Sequence, residues 1–573
     1  MNNLFLLIVT ILYISSISVY WQSISNAYLA LIFWISALLL SLFVAVINNK
    51  KVITAFFKKT FQKNKFFQCN IFLIAIILLA TLLRFYSLTE IPILTHDEAK
   101  DTGLFPQKAL NGQLTDYFGF YAGINNFFFV VSAIPHLLFS DPILKVRFFS
   151  AFFGVLSVIL IYFFSNKLFT KRVAITAGVL LATYHVHIHF SRTEFLNLFD
   201  SFYTLVILLV FFLFVKAISR YTIVFLAIIL GFGLHFYSGL RAFIIITTFF
   251  SFFCILYKKN ILKEKILQFL IFSIFFFVAL GPTIVVFLTR PQEALASGTA
   301  TLIFSHKETW AAIMMLLTNY KNSILAYGLT PIDFHYHYGG PFLELPFSLL
   351  FILGVLLLLI KEKSKTSCLI LLGLVGIPFF NSAIVEQVNY THRLMSLVPL
   401  IIVSTAVGIE FVTITLEKAW GKTFAYPFLL TILVLFVYTN LSLYFINNVW
   451  EKTLFINEFR AWEAQRLIHG FSQKGTTVLF LGSPIMPSYK SVPPLEYLTK
   501  GYSIIDITAK DQFAQTLNTR KGIALLIILP ENIAGIQSFN TSFSNHINMN
   551  KKIFYKELFL FDTVELSSPA YRL

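Results

Sequence analysis

The sequence predicts an all-α polytopic membrane protein with about thirteen transmembrane helices and a small C-terminal extracytoplasmic α/β domain. Composition is the first observation, because 57% of the 573 residues are hydrophobic and only 12% are charged. Apolar runs long enough to cross a bilayer recur from Leu4 to Ile446. After Asn447 the composition becomes mixed, and strand-like segments alternate with helical ones, which is typical of an α/β domain.

The distribution of basic residues predicts the orientation. The formal net charge is +17, and six short segments between apolar runs carry 20 Lys and Arg against three Asp and Glu. The rest of the chain holds 24 of each, so the excess indicates topology and does not indicate a nucleic-acid partner. We therefore expect a protein of the cell (plasma or inner) membrane, with these segments and the N terminus on the cytoplasmic side. The segments are 50–65, 167–172, 216–220, 258–265, 361–365 and 417–422.

This orientation gives a consistent path for the chain. Residues 1–67 form a helical hairpin and a basic cytoplasmic loop, and residues 68–446 form a transmembrane domain with outer loops at 86–147 and 289–343. Residues 447–573 follow outside. The first apolar run lacks a basic n-region and a small-residue cleavage site, so we expect a retained helix. The expected helices are 4–20, 27–47, 68–85, 148–165, 173–190, 198–215, 222–238, 242–257, 266–288, 344–360, 367–383, 394–412 and 424–446.

One apolar segment, 124–139, does not fit a span. It is sixteen residues long and contains Asn125, Asn126, Pro135 and His136. If it crossed the membrane, 14 of the 20 basic loop residues would lie outside. We therefore expect a helix in or dipping into the outer interface, with an ordinary short span as the alternative.

The C-terminal region is expected to begin with a helix at 450–471. Strands are expected at 476–481, 502–507, 523–529 and 553–566, the last as one strand or a hairpin.

A pair of carboxylates, Asp97 and Glu98, follows the third expected helix in the first outer loop. At this level a lipid-borne substrate would present its head group, and a carboxylate there can act as a general base toward an acceptor hydroxyl. A solvated loop carboxylate or a helix cap is the alternative. The pair is the main candidate for a catalytic site.

Arginines recur at the expected outer ends of other helices. Several arginines that converge on one place would bind a phosphate group, because the guanidinium fork matches its oxygens. Side chains that reach to the headgroup level are the alternative. The candidates are Arg147, Arg192, Arg241 and Arg393, with Arg84, His96, Glu194, Tyr237 and His392 as further site candidates.

The histidines are weak metal-ligand candidates. His185 and His189 would share one helix face, but no third ligand follows at a recognisable spacing. Satisfied interfacial histidines are the favoured interpretation, and a divalent metal is left open as a cofactor. The cysteines Cys69, Cys254 and Cys368 lie singly in apolar segments and indicate neither a disulfide framework nor a metal cluster.

Several of these residues lie in segments that resemble bacterial membrane glycosyltransferases of the GT-C fold. The chain is similar to the superfamily of the dolichyl-phosphate-mannose protein mannosyltransferases and the lipid A aminoarabinose transferases over roughly 68–415. This chain has an extra helical hairpin at the N terminus, and its tail is an α/β domain, whereas the eukaryotic mannosyltransferases carry a β-trefoil. The resembling segments are 83–84, 92–99, 145–154, 182–192, 231–241 and 393–408.

The resemblance implies transfer of a sugar from a polyprenyl phosphate to an extracytoplasmic acceptor, with inversion at the anomeric carbon. It implies that Asp97 is the acceptor-activating base and that Glu98 orients Asp97 or contacts the sugar. It also implies horizontal interfacial helices in the first outer loop. The donor phosphate is assigned to Arg192, Arg241 and Arg393, together with Arg147.

Two other functions remain open. A transporter or flippase for a lipid-linked sugar would place ionisable residues near the bilayer midplane, on broken helices in a repeated architecture. Here the charged candidates cluster at expected outer helix ends and no internal repeat is evident, which favours an enzyme. A polysaccharide polymerase would share the location and the substrates.

Overall fold

The structure is a computed structural model in which the residues form two compact units. The helical unit comprises Met1–Leu88, Lys108–Ile134 and Arg147–Asn448. The mixed unit comprises Thr89–Gln107, Pro135–Val146 and Val449–Leu573. The structure describes residues 3–50, 54, 66–121, 123–193, 195–258, 261–293, 302–305, 307–331, 340–362, 364–385, 391–448, 456–470, 477–481, 488–506, 524–528, 547–555 and 558–566. The domain division expected from the sequence stays a prediction.

Long apolar helices dominate the helical unit, which confirms the all-α polytopic architecture. Among the described residues, eight helices are long and apolar enough to cross a membrane, or up to ten if each of two bent pairs is one span. Three more expected spans coincide with shorter apolar helices, so the count of thirteen stays a prediction. The helices are Asn3–Gln22, Ala27–Asn48, Phe66–Phe85, Pro142–Leu168, Lys171–Thr183, His185–Arg192, Phe195–Lys216, Arg220–Gly233, Ser238–Leu256, Leu262–Leu280, Thr283–Thr289, Thr309–Leu325, Leu345–Ile360, Lys365–Pro378, Val398–Trp420 and Lys422–Leu441.

The expectation of one continuous helix over 173–190 is wrong, because the helix breaks at Tyr184 with a bend of 55°. The carbonyls of Leu181 and Ala182 would otherwise accept from the next turn, but here they accept from the Arg84 guanidinium. The N–H of His185 donates to a side-chain oxygen, Asn440 Oδ1, at 3.0 Å. Side chains from elsewhere in the bundle therefore satisfy the backbone groups that the break releases.

A second bend contradicts the expected helix at 266–288. The helix ends at Leu280, and a short helix begins after Pro282 at an angle of 87°. Gly281 has φ of +61°, which glycine adopts without steric cost. The indole of Trp34 occupies the space where a side chain at position 281 would lie, and its Nε1 donates to Val278 O at 2.9 Å. The N-terminal hairpin thus stabilises this bend.

The predicted outer loops contain short helices. The apolar helix Asn126–Leu138 would extend about 20 Å at 1.5 Å per residue, less than the roughly 30 Å of a bilayer core. This length supports the expectation that it does not span, which stays a prediction. In the second loop, 289–343, the helix Thr309–Leu325 was not expected. Its buried face carries small and polar residues such as Asn319 and Ser323, so it lacks the apolar stripe by which such helices are recognised.

The C-terminal part of the mixed unit contains a five-stranded sheet. Its strands are β3 (Thr477–Leu481), β4 (Ser503–Asp506), β5 (Ala524–Ile528), β6 (Ile547–Tyr555) and β7 (Leu558–Leu566). The two-residue strands β1 (Phe120–Tyr121) and β2 (Ile124–Asn125) form a separate pair. The strand order is β4-β3-β5-β7-β6, with β3 parallel to β4 and β5 and the other pairs antiparallel. The hairpin alternative is confirmed, but its first strand begins at Ile547, six residues before the expected start. The expected helix lies at Ile456–Gly470.

Candidate active site

The carboxylate pair lies at the start of a π-helical turn, Glu98–Leu104. The backbone N–H of Thr95 donates to Glu98 Oε2 at 3.1 Å, and the N–H of Glu98 donates to Thr95 Oγ1 at 3.4 Å. This reciprocal pair is the arrangement of a capping box, which orders the first turn of a helix. The Glu98 side chain is buried, with the whole residue only 1% exposed. In this structure Glu98 orders the turn that carries Asp97; its expected roles, to orient Asp97 or to contact the sugar, stay predictions.

The neighbouring Asp97 carboxylate is accessible and is held by a lysine. Lys100 Nζ lies 2.8 Å from Asp97 Oδ1 and 3.6 Å from Asp101 Oδ1. The Asp97 side chain is 27% exposed. His96, another candidate, is half-buried in the same turn. Sequence reasoning missed Lys100, although its i,i+3 spacing from Asp97 was the available signal.

Arg192 and Arg147 lie around the turn that follows helix Phe66–Phe85. Both are buried in the helical unit. The terminal nitrogens of Arg192 donate to four carbonyls at 2.8 to 3.5 Å, those of Leu83, Arg84, Tyr86 and Ser87. Arg147 Nη1 donates to Leu88 O at 2.9 Å. The last carbonyls of a helix lack partners within it, and a cation there also complements the helix dipole. In this structure both arginines cap the helix, and their assignment to a phosphate stays a prediction.

Arg84 belongs to the same cluster and is fully buried. Besides the two carbonyls at the break near Tyr184, its Nη2 lies 2.8 Å from His187 Nδ1. The structure therefore brings three of the candidate arginines together, as expected for a site. However, their terminal nitrogens bond to protein atoms, and the arrangement serves to join helices.

A different cluster surrounds the first turn of helix Ser238–Leu256. Arg241 lies in this turn, and its Nη2 donates to Gly123 O at 3.1 Å. A cation at a helix N-terminus is repelled by the helix dipole unless an anion is near. Asp200, from the neighbouring helix, interacts electrostatically with Arg241. Asp200 is fully buried, and among the described residues neither of its carboxylate oxygens has a hydrogen-bond partner.

The segment before helix Val398–Trp420 meets this turn. Asn381 Nδ2 donates to Gly239 O at 2.7 Å and to Arg393 O at 2.9 Å, and Ser396 Oγ donates to Gly239 O at 3.1 Å. The rings of two further candidates, Tyr237 and His392, lie 6.0 Å apart. The structure thus brings together Tyr237, Arg241, His392 and Arg393.

Sequence reasoning missed Asp200 and Asn381 in this cluster. Asp200 lies inside the apolar helix Phe195–Lys216, and an ionisable residue within such a helix is the signal that would have found it. Asn381 lies in a short π-helical segment after helix Lys365–Pro378, and no local sequence pattern distinguishes it.

The histidine candidates contribute to packing. His189 packs with its ring 6.1 Å from that of Tyr444, and the backbone of His185 bonds to Asn440 as described above. Within the described part of the chain, no group of three His, Cys, Asp or Glu residues is arranged to hold a metal ion. Glu194 lies outside the described residues.

Comparison with known proteins adds a family match. A family model described as dolichyl-phosphate-mannose-protein mannosyltransferase matches residues 127–285. No curated protein matches the sequence. The matched range includes Arg147, Arg192, Asp200 and Arg241, so it contains members of both arginine clusters.

Solved structures add a fold match. ArnT from Cupriavidus metallidurans bound to undecaprenyl phosphate aligns with a TM-score of 0.53 and 10% identity, over 87% of this chain and 98% of that one. Its apo form aligns with a TM-score of 0.49 and 11% identity over 86% and 97%. Archaeal oligosaccharyltransferase AglB from Archaeoglobus fulgidus, in complex with an inhibitory peptide and a dolichol-phosphate, aligns with a TM-score of 0.45 and 13% identity, over 89% of this chain and 75% of that one. Residues 127–285 thus resemble the dolichyl-phosphate-mannose-protein mannosyltransferases, and the chain as a whole is similar in fold to undecaprenyl-phosphate-bound ArnT.

Proposed function

We propose that this chain transfers a sugar from a polyprenyl-phosphate donor to an extracytoplasmic acceptor, with inversion at the anomeric carbon. The observation that carries the proposal is the Asp97 carboxylate, which is accessible, paired with Lys100 and held in a capped turn. Such a carboxylate is suited to accept a proton from a hydroxyl. In this proposal the turn lies on the outer side of the membrane, and the N terminus lies in the cytoplasm.

The donor phosphate is assigned to Arg241 and Arg393. Arg241 adds its charge to a helix N-terminus, where backbone N–H groups and the dipole both favour an anion. The backbone of Arg393 is held against the same turn through Asn381. The lipid phosphate bound to ArnT, which shares this fold, supports a ligand of the same chemistry here.

The reaction needs little acid catalysis, because the leaving group is a phosphate and is stable as an anion. The acceptor oxygen bonds to the anomeric carbon as the bond from that carbon to the phosphate oxygen breaks. Asp97 takes the acceptor proton, and the arginines stabilise the charge of the departing lipid phosphate. Lys100 acts as a positioning residue for Asp97, and Glu98 orders the turn. Catalysis then rests on positioning and charge stabilisation.

The decisive experiment replaces Asp97 with Asn, which keeps size and shape but removes the base. Native membranes supply the donor and the acceptor whatever their identity, so turnover is measured there as release of free polyprenyl phosphate per enzyme. We expect a loss of about 100- to 10,000-fold, the usual contribution of a positioned base. Binding of undecaprenyl phosphate to the purified variant should be unchanged.

Glu98→Gln is the matched control, because Gln also serves at this position of a capping box. We expect Glu98→Gln to lose far less turnover than Asp97→Asn. Normal turnover in Asp97→Asn would remove Asp97 from the catalytic role.

One observation favours a second candidate, a transporter or flippase for a lipid-linked sugar. Asp200 is a buried carboxylate inside an apolar helix, as is common along transport pathways. If the protein is a transporter, Asp97→Asn should still move the lipid-linked sugar at a normal rate. If it is an enzyme, Asp97→Asn should leave the sugar on its lipid. The same variant therefore separates the two functions.

A further inference from the structure

The segment that carries Asp97 shares a hydrophobic core with the C-terminal region of the chain. Both belong to the mixed unit. The partners from the C-terminal side lie mainly in the short helix Pro493–Leu498, which begins 389 residues after the end of the turn in sequence. The buried core consists of Leu94, Ala99, Ile143, Val146, Tyr497 and Leu498, with Leu104 and Trp462 packed against it. The apolar side of the turn is thus covered by residues of the C-terminal region.

Tyr497 is the central contact. It is 3% exposed, and its hydroxyl donates to Pro142 O at 2.9 Å. Burial raises the pKa of Tyr497, so the hydroxyl keeps the proton that it donates. Its ring lies only 2.9 Å from where the Cβ of a side chain at Gly103 would be. Glycine at 103 therefore permits the ring to approach the backbone of the turn.

Two hydrogen bonds lie beside this core. Lys500 Nζ donates to Gln107 Oε1 at 2.6 Å, just beyond the turn. His136 Nε2 lies 2.8 Å from Thr102 O, and the His136 ring is 6.3 Å from that of Tyr497. The turn is therefore held from several directions within the mixed unit.

The turn has a buried side, which packs against Tyr497, and an accessible side, which carries the Asp97 carboxylate. Ala99 and Gly103 lie toward Tyr497, and both are buried. Asp97 and Lys100, in contrast, form an ion pair whose side chains are 27% and 30% exposed. That ion pair lies within the turn itself, so it cannot define where the turn sits. The core contacts with Tyr497 do define it.

We propose that helix Pro493–Leu498 positions the turn that carries Asp97, and that Tyr497 is the positioning residue. The inference rests on the proposed function, because it takes Asp97 as the base. It assigns to the C-terminal region a role in turnover through the placement of one carboxylate. Errors of about 1 Å in the placement of a catalytic group can cost on the order of 100-fold in rate.

The test uses the full-length chain and two variants that disturb the contact from opposite sides. Gly103→Ala adds a methyl group against the ring, and Tyr497→Leu removes the ring while keeping an apolar side chain. We expect each to lower turnover in native membranes by about 10- to 100-fold while undecaprenyl phosphate binding stays unchanged. Gly340→Ala is the matched control for the glycine change, because open space surrounds position 340.

The double variant sharpens the test. A smaller side chain at 497 leaves room for the methyl group at 103, so the two losses should combine to less than their product. Tyr497→Phe keeps the ring and loses only one hydrogen bond, so it should retain turnover within about 5-fold of the parent. If turnover falls from Tyr497→Phe to Tyr497→Leu while lipid binding stays normal, a general loss of folded protein is not the cause.

Normal turnover in folded Tyr497→Leu would overturn the positioning role. If Gly103→Ala fails to fold, the comparison of the Leu and Phe variants decides alone. Asp97→Asn is measured in the same assay to separate this inference from the function on which it rests. An inactive Asp97→Asn beside a fully active Tyr497→Leu would refute only the positioning, whereas an active Asp97→Asn would refute the proposed function.

Discussion

Two groups of arginines look alike in the sequence and differ in the structure. Arg84, Arg147 and Arg192 cluster around the end of helix Phe66–Phe85, and their terminal nitrogens donate to backbone carbonyls. Arg241 and Arg393 meet at the first turn of another helix, beside the buried carboxylate of Asp200. All five lie at expected outer ends of helices. Their position along the sequence therefore does not distinguish a helix cap from a phosphate ligand.

The partner of the guanidinium provides the distinction. Carbonyl oxygens at a helix end carry partial negative charge and need donors, so a buried arginine can satisfy several of them at once. Such an arginine has little hydrogen-bonding capacity left for a substrate. An arginine at a helix N-terminus faces the positive end of the dipole, where an anion is the stabilising partner. The two groups should therefore respond differently to the same substitution.

The largest effect is expected for Arg192→Ala. Removal of the buried side chain leaves four carbonyls at the end of the helix without this donor. We expect a loss of about 3–5 kcal/mol in the free energy of unfolding, typical when one partner of a buried charged contact is removed. Thermal unfolding in detergent, together with the amount of protein in the membrane, measures it.

Lysine at position 192 should restore little of this stability, because a single ammonium cannot reproduce the guanidinium fork. Arg466→Ala is the matched control, since the Arg466 side chain is 65% exposed and should lose almost nothing. A stable Arg192→Ala protein that no longer binds undecaprenyl phosphate would show that Arg192 binds the phosphate.

A smaller effect of a different kind is expected for Arg241→Ala and Arg393→Ala. If each meets a desolvated phosphate, the affinity for undecaprenyl phosphate should fall by about 2–5 kcal/mol. The melting temperature should fall less than in Arg192→Ala. Equal losses of stability in both groups, without a specific loss of binding, would show that Arg241 and Arg393 are also structural.

The smallest effect is expected for a third kind of arginine, Arg290. Its Nη2 lies 2.7 Å from Tyr20 Oη and 2.9 Å from Asp116 Oδ2, and its side chain is 26% exposed. Tyr20 also donates to Asp116, so the contact joins the N-terminal hairpin to the predicted first outer loop. Arg290→Lys and Tyr20→Phe should each cost about 0.5–1.5 kcal/mol of stability.

The double variant should lose less than the sum of the two changes, because they remove the same contact. Full additivity would show that Arg290 and Tyr20 stabilise the protein separately.

Local sequence was a good guide to individual segments and a poor guide to their bends. The apolar runs predict helices because the partition of a side chain between lipid and water depends on that residue and its immediate neighbours. The breaks at Tyr184 and Gly281 depend on distant partners, namely Arg84 and Asn440 at one and Trp34 at the other. These partners lie about 100 or more positions away in sequence, so no local pattern signals the break at Tyr184, whereas the dipeptide Gly281-Pro282 was an available local signal for the other bend.

The candidate site shows the same limit. The adjacent pair Asp97 and Glu98 could be found because the residues are consecutive, but only the resemblance to a known family, and no local pattern, gave them separate roles. The burial of Glu98 and its reciprocal bonds with Thr95 distinguish a cap from an accessible carboxylate. Lys100 was within reach of a spacing argument, whereas Tyr497 was not, because it meets the turn only in the folded chain.

The sequence by itself determined that this chain resides in a membrane, and it predicted the orientation and the loop with the main carboxylate. Those properties follow from the free energy of transfer of short segments and from the charge of the loops between them. Only the tertiary structure decided which arginines cap a helix and which meet at a helix N-terminus beside Asp200. A guanidinium is bound by whatever atoms the fold brings near it, and Arg192 meets carbonyls more than 100 residues away along the chain.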